Sequence, residues 1–283
     1  MTEAEPSDPK QIQLKADESW EKPTDPDLID LQMTMRAEID KYFPKGDMAT
    51  IGYMNLETGD VMTINGNTDI RAASAAKLLI CMYIAEMIEE GKFQLDDKIK
   101  YNAALDWDGD IGEVSIGPDG AQYTVKEILR NILVYSDNGA TSAICRRWDQ
   151  ISPNRKFEKD IDQRYQTHYE NGHNLNPNEV IPILKRLYDG RNTTYDLIFN
   201  EYLSYAGNNY IANEEIWTYR FAHKTGTAFG NINDFGVVLS KHPYAYVFMT
   251  TGEIPGQIEV VSRMSKRMFQ WHVKLTEGWV PEY

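Results

Sequence analysis

The sequence predicts an α/β (α+β) sandwich: an antiparallel five-stranded sheet, built from both ends of the chain, is flanked by helices and carries an inserted all-helical lobe. Three observations lead there. Two short apolar runs, 49–55 and 61–65, flank Glu57-Thr58-Gly59-Asp60, the pattern of a hairpin around a glycine turn. The last third holds three β-rich runs, 216–223, 235–240 and 244–251, separated by Gly and Pro turns. Between these two blocks the apolar spacing is helical. Strands at both ends imply a chain that leaves the sheet and returns to it, so 27–70 and 210–273 form a sheet lobe and 71–209 a helical lobe of one domain over 27–273. The seam between two such lobes is a natural place for a site.

The elements follow in order. Residues 1–26 are acidic, carry Pro6, Pro9, Pro23 and Pro26 and offer few apolar groups, so they are expected to be a flexible linker. Asp27 is expected to cap an amphipathic helix running to Tyr42. After the hairpin, the run from Leu78 to Ala85 is apolar all round and uninterrupted until Gly91, which predicts a helix from Ser74 to Glu90 buried on every side. Residues 93–122 are acidic and glycine-rich and read as a surface excursion bordering a cleft. Thr124 and Glu127 form a capping box for a helix that runs to Tyr135 and stops at Ser136-Asp137-Asn138-Gly139; a second helix spans 140–148. Residues 150–176 are polar without periodicity and read as a functional loop. Asn176-Pro177 opens a helix through Tyr188 with Gly190 past its end, and 194–205 is a further short helix. Residues 257–273 form a closing helix, and 274–283 a short tail.

Composition narrows the function. Of the 283 residues, 29 are Lys or Arg and 43 Asp or Glu, a formal net charge of −14 that disfavours nucleic acid and anionic membrane, both of which need basic patches. No apolar run approaches the roughly 18 residues of a membrane span. The opening Met1-Thr2-Glu3-Ala4-Glu5-Pro6 is not an export signal. Cys81 and Cys145 lack metal-ligand spacing; they read first as buried apolar residues and second as a disulfide. None of the five histidines supports a metal site, since His168 and His173 are five apart in a loop, so no metal and no cofactor is expected.

Ser74 and Lys77 sit three residues apart at the mouth of the apolar helix, on one face. A buried lysine is costly, and one whose pKa is depressed can activate a neighbouring hydroxyl as a nucleophile. Two further groups bear on this pair. Ser136-Asp137-Asn138 lies 62 residues after Ser74 at a break between helices, and His223-Lys224-Thr225-Gly226-Thr227 closes a strand before a glycine-rich turn. In this order the three motifs resemble those of class A β-lactamases and penicillin-binding proteins. The hairpin before Ser74, Asn233-Asp234 between the last strands and Thr250-Thr251-Gly252 follow the same order, and the likeness covers residues 28–272.

The resemblance implies a β-lactamase/transpeptidase-like fold and a serine hydrolase acting through an acyl-enzyme. Ser74 would be the nucleophile, Lys77 its base, and Ser136 the relay to the leaving nitrogen. Asn138, Lys224, Thr225, Gly226 and Thr227 would bind substrate, and the backbone N–H groups of Ser74 and Thr227 would form an oxyanion hole. Glu170, 34 residues after Ser136 and four before Asn174, would activate the water that removes the acyl group, although its loop is about ten residues shorter than the family's and Glu158 is a second carboxylate in the segment. No Lys or Arg stands between Thr225 and Ser240 to grip a substrate carboxylate, which leaves Arg220, Arg263 or Arg267. Trp107 is expected at the cleft wall and His223 in a structural role beside Lys224. The expected substrates are β-lactams. The alternatives are a D-Ala-D-Ala carboxypeptidase or other amide or ester hydrolase with slow deacylation, and a non-catalytic cell-wall binding module. The chain is expected to act as a monomer outside the cytoplasm or in the cell envelope, with the acidic N-terminus as a tether.

Overall fold

The structure is a computed structural model that describes residues 18–153, 156–205 and 207–278. In chain order its elements are α1 (Pro26–Tyr42), β1 (Ala49–Asn55), β2 (Val61–Ile64), β3 (Ile70–Arg71), α2 (Lys77–Glu89), β4 (Lys98–Lys100), α3 (Ala103–Asp106), β5 (Gln122–Thr124), α4 (Val125–Arg130), α5 (Asn138–Ile151), α6 (Phe157–Tyr165), β6 (Asn174–Leu175), α7 (Pro177–Asp189), β7 (Arg220–Ala228), β8 (Asn231–Leu239), β9 (Tyr244–Thr250) and α8 (Gln257–Glu277). The five-stranded sheet has the order β2-β1-β9-β8-β7 and is antiparallel throughout, so the first and last thirds meet where β1 pairs with β9. The expected five-stranded sheet with flanking helices holds, but the inserted lobe is not all helical: β4 pairs with β5 within it, and its β6 pairs with β3.

Both faces of this sheet are covered, and the alternation of side chains sorts residues between two cores. Along β9, Tyr244, Tyr246 and Phe248 join the cluster under α1 and α8, while Ala245, Val247 and Met249 join the cluster shared with the helical lobe. Small residues mark the closest approach. A Cβ on Gly52 would lie 2.9 Å from the Ile181 side chain, so α7 can rest on β1 only because that position is glycine. In the helical lobe, α2 is buried from Lys77 to Met87, as its unbroken apolar run requires. The acid Glu86 is buried among these residues and is matched by Arg164 and Arg186, each at 2.8 Å, with the Tyr165 hydroxyl at 3.1 Å.

Several boundaries differ from expectation. The cap of α1 is Asp25, whose Oδ1 accepts from the N–H groups of Asp27 and Leu28; Pro26 supplies a first helical residue that needs no partner. Part of the expected linker is docked. Trp20 packs on the core and the Glu21 carboxylate accepts from the Asn65 and Gly66 N–H groups at 2.9 and 2.8 Å, while residues 1–17 lie outside the described residues. The expected loop at 150–176 contains α6, whose Phe157, Ile161 and Tyr165 are buried at helical spacing. That signal stands in the sequence, diluted by the polar residues between. The expected tail from Lys274 is in part helix, because α8 continues to Glu277; residues 279–283 lie outside the described residues. The largest shift is in β7, which ends at Ala228 and not at His223, so Lys224-Thr225-Gly226-Thr227 lies inside a strand. Phe229 and Gly230, both with positive φ, make the two-residue turn into β8.

Candidate active site

Ser74 sits in a single 3-10 turn, Ala73–Ala76, that precedes α2. Ala73 has φ 49°, a left-handed conformation unusual for a side chain with a Cβ. The turn is held from below by Asn233 of β8, whose Nδ2 donates to the carbonyls of Arg71 and Ala72 at 2.9 and 3.1 Å. From the side, Gly226 of β7 lies against it. A Cβ at 226 would stand 2.3 Å from Ala72 O, 2.4 Å from Ala75 N and 2.9 Å from Ser74 N. Only glycine lets the edge strand approach this closely, and the approach brings Thr227 beside Ser74.

Lys77 occupies the first position of α2, so its side chain reaches back over the turn. Its Nζ donates to Ser136 O at 2.6 Å and Asn138 Oδ1 at 2.5 Å, and stands 3.3 Å from Ser74 Oγ and 3.4 Å from Ser136 Oγ. Ser136 presents its carbonyl and hydroxyl to one lysine because it is left-handed, with φ 60°. It follows an irregular final turn, Asn131–Tyr135, and precedes α5, which Asp137 caps. Asp137 is fully buried: Oδ2 accepts from Val114 N and Ser115 N, and Oδ1 from Ser115 Oγ and Ala140 N. The excursion at 93–122 is thereby pinned to the motif it borders.

Lys224 completes the cluster from β7. Its Nζ donates to Ser136 Oγ at 3.2 Å and to Thr225 O at 3.1 Å. The two lysines are 5% and 2% exposed, so neither relies on water for its charge. Burial, reinforced by the charge of Lys224 and opposed by Asp137, lowers Lys77 to about 7; burial, opposed by Asp234, lowers Lys224 to about 8. Asp234 is itself held by His223 Nδ1 at 2.8 Å, the Tyr246 hydroxyl at 2.9 Å and the Tyr210 N–H at 3.0 Å. His223 thus faces Asp234 under the strand, the structural role expected of it.

This geometry has a chemical consequence. A neutral lysine amine keeps two N–H donors and one lone pair. With the donors given to Ser136 O and Asn138 Oδ1, the remaining valence of Lys77 is left for the hydroxyls of Ser74 and Ser136. Ser136 Oγ lies between the two lysines, where it can take a proton from one and be polarised by the other.

A cavity of about 430 Å³ opens on this cluster, lined by Ser74, Lys77, Asn138 and Thr227. Other sequence candidates fall outside it. Trp107 is 56% exposed, donates to Asp110 Oδ1 at 2.8 Å and does not line the cavity; its neighbour Asp108 does, and accepts at its carbonyl from Asn138 Nδ2 at 3.0 Å. Glu170 also lies outside. Its carboxylate stands 3.7 Å from Lys159 Nζ, and its backbone N–H donates to Asp162 Oδ2 at 3.0 Å. Arg220 is engaged by Ser204 and Asn200, Arg263 lies over Tyr42, and Arg267 contacts Gln270. The arginine that lines the cavity is Arg71, over the ring of Phe229 at 5.0 Å, which sequence reasoning missed. Tyr210 was missed too: its hydroxyl is 2.7 Å from Thr227 Oγ1. Cys81 and Cys145 are free thiols.

Comparison with known proteins agrees with this geometry. The model of the β-lactamase enzyme family matches residues 31–272, and the chain belongs to that family of serine hydrolases acting on amide bonds. A solved structure of a PBP-A mutant, an acyl-enzyme complex with penicillin G, is 19% identical at a TM-score of 0.74, covering 87% of this chain and 97% of its own. The β-lactamase from Sphaerobacter thermophilus is 18% identical at 0.68, covering 84% and 95%. A variant of the extended-spectrum β-lactamase TLA-1 is 12% identical at 0.70, covering 87% and 99%. No curated protein matches the chain.

Proposed function

We propose that this protein opens β-lactam amides through an acyl-enzyme on Ser74. Lys77 takes the Ser74 proton as the hydroxyl attacks the carbonyl, and Ser136 passes a proton to the leaving nitrogen. The backbone N–H groups of Ser74 and Thr227 receive the developing oxyanion, each donor contributing about 2 to 4 kcal/mol. Lys224, Thr225 and Thr227 hold the substrate carboxylate, with Gly226 leaving room for its backbone and Asn138 for its amide. One observation carries the reading: Lys77 Nζ lies within hydrogen-bond reach of both the Ser74 and Ser136 hydroxyls, while Lys224 closes the other side of Ser136. Intact mass after mixing with penicillin G is expected to show an adduct that localises to Ser74 and then clears. No adduct and no turnover would refute the reading.

The position of Glu170 beside Lys159 favours a second reading, a penicillin-binding hydrolase of D-Ala-D-Ala peptides that deacylates slowly. Its signature is a Ser74 adduct that persists. In either role the substrate is met in the cell envelope or outside the cell, and we place a monomeric enzyme there. Among the described residues no helix is long and apolar enough to cross a membrane.

A further inference from the structure

The cavity has lining residues to which the proposed acylation gives no role. Glu158, in the first turn of α6, and His173, in the loop before β6, line it together with Tyr169 and Ser74. Glu158 Oε1 is 2.8 Å from His173 Nε2. The imidazole is stacked on Tyr169, with ring centroids 4.6 Å apart and planes 17° from parallel. Its backbone is fixed as well. His173 has φ 59°, donates its N–H to Tyr169 O, and accepts at its carbonyl from Ala72 N at 2.9 Å. The residue that orients Glu158 is therefore bonded directly to the turn that carries Ser74. Both side chains stay 42% exposed, open to water in the cavity.

We infer that Glu158, positioned by His173, activates the water that releases the acyl group from Ser74, in the place that the sequence gives to Glu170. The inference rests on the acyl-enzyme reading above. A water oxygen bonds to the ester carbon while Glu158 takes its proton. The bond from that carbon to Ser74 Oγ then breaks, and Oγ recovers the proton through Lys77, leaving a carboxylic acid and free enzyme. Asp108, the other carboxylate of the cavity, stands instead on the Asn138 side.

The test follows formation and loss of the penicillin G adduct separately, in wild type and in the Glu158→Gln, His173→Ala, His173→Gln and Glu170→Gln variants. Glu158→Gln is expected to acylate normally, which also reports that it is folded, and to lose the adduct at least about 100-fold more slowly. His173→Ala, which removes only the positioning group, should slow loss about 10-fold without changing formation. His173→Gln, which retains an N–H for Glu158, should recover part of that, and Glu170→Gln should match wild type. Adduct loss in Glu158→Gln within about threefold of wild type, or a wild-type adduct that never clears, overturns the inference and leaves acylation standing. No adduct in any variant overturns both.

Discussion

The two ends of the cavity are built to different standards of rigidity. At the Lys77 end, three elements that are distant in sequence place two buried lysines and two serines within hydrogen-bond reach of one another, and Asp137 and Asn233 brace the backbone beneath them. At the Glu158 end, one carboxylate from α6 and one imidazole from the loop before β6 meet, each nearly half exposed. The contrast matches the demands of the two half-reactions. Acylation as proposed needs a depressed lysine pKa, which burial and the neighbouring Lys224 charge together maintain. Hydrolysis needs a water, which burial would exclude. Weakness in the second end would convert a turnover enzyme into a penicillin trap without touching the first.

Four measurements would break or sharpen that contrast. The largest effect belongs to Ser74→Ala, which should abolish the adduct in intact mass and lower turnover by at least about 1000-fold. Next is Gly226→Ala, whose Cβ meets backbone atoms of the Ser74 turn at 2.3 and 2.4 Å and cannot be relieved by a rotamer change. We expect at least about 100-fold slower acylation, because the oxyanion donors separate. Thermal melting should report a loss of about 1 to 3 kcal/mol; an unimpaired rate would mean the strand and turn are not as rigid as their contact implies.

The third measurement is the pH profile of acylation. Lys77 accepts a proton only when neutral, so the rate should rise as pH passes about 7; Lys224 grips a carboxylate only when charged, so it should fall as pH passes about 8. A narrow bell follows. Lys224→Arg should move its alkaline limb upward, since arginine keeps its charge. A profile flat from pH 6 to 9 would remove Lys77 as the base. The smallest effect belongs to Glu170→Ala, which breaks only an exposed pair with Lys159. Stability by denaturant titration should stay within about 0.5 kcal/mol of wild type.

Much of this molecule is readable from local pattern. The unbroken apolar run after Lys77 means a helix buried on every side, Thr124 with Glu127 and Asn176 with Pro177 mark helix starts, and Phe235 to Leu239 reads as a strand. Such features depend on neighbours a few residues away, which a sequence contains. That Ser74, Lys77, Ser136 and Lys224 come together was readable for a related reason: each belongs to a short motif. Other features were not. Glu170 and Glu158 are both carboxylates in one polar segment; that Glu158 lines the cavity with Ser74, while Glu170 pairs with Lys159 and bonds its N–H to Asp162, is a matter of tertiary packing. Arg71 lines the cavity only because β7 ends in a turn that sets Phe229 over it.

The sequence by itself determined the sheet shared between chain ends, the helical lobe and the place of Ser74 and Lys77 at the mouth of a buried helix, since periodicity and motif spacing are local properties. Only the tertiary structure decided where Lys77 stands between Ser74 and Ser136, how far burial depresses its pKa, and that Glu158 and not Glu170 lines the cavity with Ser74. Those depend on distances between residues far apart in the chain, 59 positions for Lys77 and Ser136 and 88 for Ser136 and Lys224, and packing, not local preference, sets such distances.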